Sequence, residues 1–437
     1  MGQTQSRAMK DAKSIFRVAS GNFLEMYDFA VYGFYASFIA QIFFPSDNQF
    51  ASIMMSFMAF GVGFLMRPIG AIVLGAYMDK HGRRKGLLVT LALMAIGTLT
   101  IAVCPGYEQI GVFAPIIVVI GRLLQGFSAG AELGGASVYL AEIAPADKKG
   151  FYVSWQSASQ QVATIVAGVF GVALHYWLGD EIVSVWGWRV PFIFGCLVVP
   201  FLFIIRRTLE ETPEFRARAH QAPKKLSAML VNIVQNWQVM ILGSLFVMMT
   251  TVTFYFITAY TPTFANKVLH LSRLDSFIVT AIVGLSNLFW LPVAGALSDR
   301  IGRKPILIAI TILNLITAYP AMYFLTHHIS FANLVIVELW FSFIFGSYNG
   351  AMVVGLSEIM PREVRALGFS LSYSIAVAIF GGFTPAISTY LIHESGNNAM
   401  PGVWLSIAAL CSLLAALALF KKGGIHHRRT QGEKASL

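Results

Sequence analysis

The chain has 437 residues, 57% of them hydrophobic and only 12% charged, with a mean hydropathy of +0.69. A water-soluble protein of this length cannot cover itself with so little polar surface, so a single soluble domain is excluded and lipid is the main solvent. The net charge of +10 invites a nucleic-acid reading, but the basic residues recur between apolar stretches instead of forming one patch.

Stretches able to cross a hydrocarbon core of ~30 Å, which takes about 20 helical residues, lie at 15–43, 51–78, 86–105, 111–141, 150–178, 188–205, 237–264, 274–297, 304–326, 331–357, 365–392 and 402–420. They are continuously apolar rather than alternating, and open backbone is intolerable in lipid, so all twelve are expected as helices. An even number puts both termini on one side, and nearly all of the 31 Lys and Arg fall in that side's segments. Opposite loops carry only Arg189, Lys267 and Arg273, so the positive-inside rule predicts cytoplasmic termini. The first span lacks a small-residue cleavage pattern and is expected to remain as a helix.

An ionisable residue inside a span costs about 2.5 to 3.5 kcal/mol on insertion scales, so each is a functional candidate. Span 1 holds Glu25 and Asp28, three apart and on one side of the helix, with Tyr32 and Tyr35 continuing the stripe. Crowded carboxylates in a low dielectric compete for charge, and binding a proton relieves the conflict, which a proton-coupling site needs. A static carboxylate that pins helices is the other reading. In span 2 Arg67 precedes Pro68, deep in the membrane; it offers an anion a positive contact, or pairs with an acid such as Glu132. Span 4 brings Arg122 and, ten residues on, Glu132, a candidate proton relay or a partner for a basic neighbour. Span 5 carries the adjacent amides Gln160 and Gln161, unusual in lipid unless they face a cavity. Cys104, Cys196 and Cys411 sit in or at the ends of apolar spans without metal-ligand spacing, and read as small core residues.

The polar stretch at 206–225 separates spans 6 and 7, dividing the chain into a bundle at 1–205, a linker at 206–236 and a bundle at 237–437. In the second half Asn287 lies in span 8, and Tyr348 and Asn349 lie in span 10. Amides both donate and accept, so Gln160, Gln161, Asn287 and Asn349 suit a small acid, or equally interhelical hydrogen bonds. Glu338 is expected near the outer end of span 10, without a functional role.

Two segments recur. GAYMDKHGRRK at 75–85 returns as GALSDRIGRKP at 295–305, an offset of 220 from Asp79 to Asp299. AEIAP at 141–145 returns as SEIMP at 357–361, an offset of 216 from Glu142 to Glu358. Nearly equal offsets indicate a six-span internal repeat, as in transporters that rock one half against the other. The expected fold class is therefore an all-α membrane protein with twelve transmembrane helices in two pseudo-symmetric six-helix bundles. Asp79, Arg83 and Glu142, with Asp299, Arg303 and Glu358 as their repeat, form a candidate gate; an ordinary solvated loop, with ion pairs worth under ~1 kcal/mol, is the alternative.

The paired loops, with GRLLQGFSAGAELGGASVYLAEIAP at 121–145, resemble the major facilitator superfamily. SGNFLEMYDF at 20–29, FLMRPIGAIVLGAYMDKHGRRKG at 64–86, SWQSASQQVA at 154–163, WGWRVPF at 186–192 and RRTLEETPEF at 206–215 resemble its metabolite:proton symporter family. YFITAYTPTF at 255–264, SNLFWLP at 286–292, YNGAMVV at 348–354 and GGFTPAIS at 381–388 are similar to the branch of bacterial citrate-proton symporters and tricarballylate carriers. The resemblance implies proton-coupled tricarboxylate uptake across the bacterial inner membrane, by a monomer whose partners are a small organic anion, protons and the bilayer. It also implies an acid on helix 1 paired with a base on helix 4, here Asp28 with Arg122, so that protonating Asp28 frees Arg122 for a substrate carboxylate. Symport of a dicarboxylate, a shikimate-like acid or a betaine osmolyte is the alternative, followed by a passive channel. No P-loop, intramembrane His pair or metal-ligand set occurs in the sequence, so no cofactor, metal or enzymatic activity is expected.

Overall fold

The computed structural model describes residues 23–130, 137, 140–141, 144–207, 231, 234–360 and 365–420. Among them helix is the only regular structure. Helix α1 runs Phe23–Phe34, turns at Tyr35 and continues as Ala36–Phe43. In chain order follow α2 (Gln49–Met78), α3 (Arg84–Val103), α4 (Phe113–Ala129), α5 (Lys149–Gly187) and α6 (Arg189–Arg207). The second set is α7 (Trp237–Val268), α8 (Arg273–Ile301), α9 (Arg303–His327), α10 (Phe331–Ile359), α11 (Leu367–Ser395) and α12 (Pro401–Leu419). Nine of the described helices are long and apolar enough to cross a membrane, and α1, α4 and α6 fall on the remaining three expected spans. Span 4 was expected to reach 141, but Glu132 lies outside the described residues, as do Glu142 and the side chains of Asp79 and Arg83.

Prolines accompany three of the departures from regular helix, because proline lacks an N–H and clashes with the preceding turn. α2 breaks at Met66, whose N–H turns to Gly63 O and Phe64 O, and restarts with Pro68 in its first turn. α7 widens into π-turns at Phe256–Tyr260 and Phe264–Val268 on either side of Pro262. α11 does the same at Val377–Gly381, ahead of Pro385. Of those nine, α7 is the most enclosed: 83% of its most apolar window is buried, against 39% for α5 and α9, so α7 sits centrally and the latter two border lipid.

The repeated motif turns are built alike. Gly82 and Gly302 have φ of 97° and 89°, a region a side chain resists, and so let α2 turn into α3 and α8 into α9. Beside the second turn, α5 and α8 meet backbone to backbone: a Cβ added to Gly150 would stand 2.4 Å from Gly295 O. Contacts between α1–α6 and α7–α12 occur at both ends. At the motif end α2 packs on α11, and α5 packs on α8 along its length, from Gly150 against Gly295 to Gly171 against Phe277. At the opposite end Phe50 stacks on His393 at 3.8 Å, and Arg273 lies over Phe38 at 4.1 Å and 4.0 Å from Asp180.

Candidate substrate and proton site

Glu25 and Asp28 do not form a pair. Three residues along a helix leave two side chains about 60° apart, and in a helix enclosed on all sides that suffices to give each a different neighbour. Glu25 turns to α2, where Arg67 Nη2 donates to its Oε1 at 2.8 Å with both side chains buried. Asp28 turns to α3 and accepts from the Thr98 hydroxyl, while its Oδ1 stands close to Gly195 of α6. Arg67 thus meets Glu25, the acid that had been grouped with Asp28.

Asp28 and Arg122 are linked indirectly. Arg122 Nη1 donates to Gln125 Oε1 at 2.6 Å, Gln125 Nε2 donates to Thr98 Oγ1 at 3.1 Å, and Thr98 reaches Asp28. No carboxylate lies within ion-pair distance of Arg122 among the described residues. Its guanidinium is fully buried and is held over aromatic rings, at 4.5 Å from Tyr32, 4.8 Å from Phe29 and 5.0 Å from Phe60. Phe29 and Phe64 also lie under Arg67, both at 5.8 Å, so the two cations share ring faces. Such contacts contribute roughly 0.5 to 2 kcal/mol each, less than desolvating a permanent charge costs. Arg122 Nε and Arg67 Nε have no acceptor among the described residues. Tyr255 of α7 closes on Phe64 at 5.2 Å, bringing the second half to this cluster.

The other polar candidates scatter. Gln161 Oε1 accepts from Asn287 Nδ2 at 3.0 Å, and Asn287 Oδ1 accepts from Ser342 at 2.7 Å, a chain that ties α5 to α8 and α10. Gln160 is buried, and its Nε2 has no partner among the described residues. Asn349 Oδ1 accepts from Thr250 at 3.2 Å, and Tyr348 donates to Phe246 O at 2.6 Å; both are tied to α7. Tyr348 therefore belongs to the packing of the second half, away from the Arg122 cluster.

At the motif end Asp299 accepts from the N–H groups of Gly150 at 2.8 Å and Phe151 at 3.0 Å. These are first-turn donors of α5 that have no partner in their own helix, so the carboxylate caps a helix of the other half and meets its positive dipole. Arg303 bonds Asp299 at 2.9 Å and Glu358 at 3.2 Å, extending the network to α10.

Glu338 lies near the end of α10, as expected, but on an inward face. It is 1% exposed, and its Oε1 is hydrogen-bonded to the Thr261 hydroxyl of α7 at 2.7 Å. Thr98, Gln125, the phenylalanine cage and Thr261 were missed from sequence. Gln125 follows Arg122 by three residues and was detectable as a helical neighbour; a threonine or phenylalanine in an apolar span carries no signal.

A sequence profile of the Major Facilitator Superfamily matches residues 18–379 and 278–436. The chain is a member of that superfamily. This facilitator is 59% identical over 412 residues to the citrate-proton symporter of Klebsiella pneumoniae, covering 94% of this chain and 92% of the relative. With the citrate-proton symporter of Salmonella typhi it shares 57% over 407 residues, 93% of each chain. The glycine betaine/proline/ectoine/pipecolic acid transporter OusA of Dickeya dadantii is 31% identical over 414 residues, 93% of this chain and 82% of the relative. The crystal structure of a D-xylose-proton symporter superposes with a TM-score of 0.73 at 20% identity, covering 94% of this chain and 97% of that one. An inward-open xylose transporter XylE from E. coli gives 0.71, also at 20% identity, covering 94% and 96%. At that identity the likeness concerns the fold alone, and the fold is the one the repeat predicted.

Proposed function

We propose that this facilitator moves a tricarboxylate, citrate first and tricarballylate second, together with protons across the bacterial inner membrane by alternating access. It is a transporter and not an enzyme. The observation that carries the reading is Arg122, a permanent cation that is fully buried, caged by rings and without a carboxylate in ion-pair contact among the described residues. A substrate carboxylate supplies the missing counter-charge, and the guanidinium fork matches its geometry. The high identity to two citrate-proton symporters supports the same substrate, whereas the more distant relative named for betaine and proline handles zwitterions.

Asp28 takes the coupling proton, and the Thr98–Gln125 bridge transmits its charge state to Arg122. Residues 1–205 and 237–437 act as the two rocking bodies, joined by 206–236, with both termini and the motif end in the cytoplasm. The Asp299–Arg303–Glu358 network closes the cytoplasmic side, and the carrier works as a monomer in the bilayer. Uptake of labelled citrate into proteoliposomes tests the reading. It should saturate, be driven by an inward pH gradient, collapse with a protonophore and be inhibited by unlabelled tricarboxylates. Uptake indifferent to every tricarboxylate overturns it.

A further inference from the structure

We propose that Glu338 is a second proton-carrying carboxyl, loaded and unloaded once per cycle separately from the Asp28 site. The proposal rests on the symport reading above and adds a proton to it. Its basis is a fully buried carboxyl with no counter-charge among the described residues, with hydrogen-bond bookkeeping beside it. Thr261 Oγ1 lies 2.7 Å from Glu338 Oε1 and 3.1 Å from Phe256 O, yet a hydroxyl has one proton to give. The Phe256 carbonyl also accepts the Thr261 N–H, so the hydroxyl serves either acceptor; when it donates to Phe256, the shorter contact is a hydrogen bond only if Glu338 supplies the proton. A neutral carboxyl satisfies both contacts at once.

An ionised one would be stranded, because Glu338 is 1% exposed, its Oε2 has no partner and no cation pairs with it among the described residues. The charged residues of α8 and α9 stand at their helix ends, as with Arg273, Asp299, Arg303 and Lys304. His175 of α5 bonds Gly171 O, and Tyr260 of α7 meets Thr389. Burying an uncompensated carboxylate costs several kcal/mol in a membrane interior, which a proton removes.

The first half contains the same unit. There Thr98 Oγ1 lies 2.9 Å from Met94 O and also bonds Asp28. The Asp28 unit continues through Gln125 to Arg122, whereas the Glu338 unit leads to no cation, so its proton is not exchanged against the substrate site. Glu338 stands seven residues below Phe331 at the outer end of α10, about 10 Å of helix. In the outward-open state its carboxylate takes H⁺ from outer water. In the inward-open state the O–H bond breaks and H⁺ passes to cytoplasmic water, leaving the carboxylate hydrated.

Glu338→Gln keeps the shape and removes the proton. In proteoliposomes the expected result is one proton fewer per citrate, read as a static-head citrate gradient about tenfold lower for a pH difference of one unit. Citrate counterflow, which needs no net proton movement, should stay within about twofold of wild type by the same linkage. An unchanged ratio with intact counterflow overturns the proposal. Loss of counterflow as well makes Glu338 structural and also overturns it. Infrared spectra of the purified protein supply a readout independent of transport: the wild type should show a protonated carboxyl band that is missing from Glu338→Gln and shifted in Glu338→Asp. Its absence from the wild type rejects the idea whatever the variants do. Should wild type not move citrate at all, the symport reading fails while the infrared result still decides the state of Glu338.

Discussion

Replacing Asp299 by alanine removes the carboxylate that holds the Gly150 and Phe151 N–H groups at 2.8 and 3.0 Å. A hydrogen bond to a charged group contributes about 1.5 to 3 kcal/mol. Taking the lower figure for each, because Asp299 shares its charge with Arg303, the arrangement with α5 capped loses about 3 kcal/mol, roughly a hundredfold in population. Arg303 keeps Glu358, but that carboxylate is 42% exposed and compensates little. Asparagine at the same place retains one acceptor without the charge and should lose about half as much. Hydrogen–deuterium exchange reads the effect directly, since these two amides have no partner within α5. Exchange over the first turn of α5 should accelerate by about two orders of magnitude in Asp299→Ala and less in Asp299→Asn, with the outer half of the helix unchanged. If Asp299→Ala exchanges there like wild type, the carboxylate does not hold the halves together.

Three further outcomes are expected. Asp28→Asn should abolish citrate accumulation driven by a pH gradient while leaving counterflow; accumulation that persists uphill removes Asp28 from coupling. Arg122→Lys replaces a fork that spans Gln125 and the Phe60 carbonyl with a point charge, and should raise the citrate KM about tenfold or more, or ~1.4 kcal/mol. An unchanged KM from initial uptake rates would remove Arg122 as the anion contact. Gly150→Ala drives a methyl to within 2.4 Å of Gly295 O and should destabilise the protein by about 1 to 3 kcal/mol. A melting temperature in detergent equal to wild type contradicts the close contact.

Much of the fold is legible in the sequence because hydropathy marks each span and the motifs around Asp79 and Asp299 mark the repeat. The site is less legible, for a geometric reason. Spacing puts Glu25 and Asp28 on one side of α1, but it does not say that a 60° separation sends one to Arg67 and the other to Thr98. The adjacent amides of α5 divide similarly: Gln161 finds Asn287 across the halves and Gln160 finds no such partner. Tyr348 and Asn349 read as pocket residues by polarity, yet their bonds run to Phe246 and Thr250. Glu338 looked peripheral from its distance to the end of α10, since depth along a helix says nothing about which face carries the residue.

The meeting of Gly150 with Gly295 bears on the cost of movement. Interdigitated side chains must change rotamer before two helices can roll past each other, which makes a packed interface resist rotation. At Gly150 and Gly295 backbone meets backbone, so this point can act as a smooth bearing, while farther along the same two helices the Gln161–Asn287 bond and the Phe277 ring against Gly171 must re-seat. If the halves rock as proposed, resistance is expected from the Asp299 cap on one side, the stacked Phe50–His393 pair on the other and the Gln161–Asn287 bond between them. Tuning those clasps should change how fast the carrier turns over while its pivot stays the same.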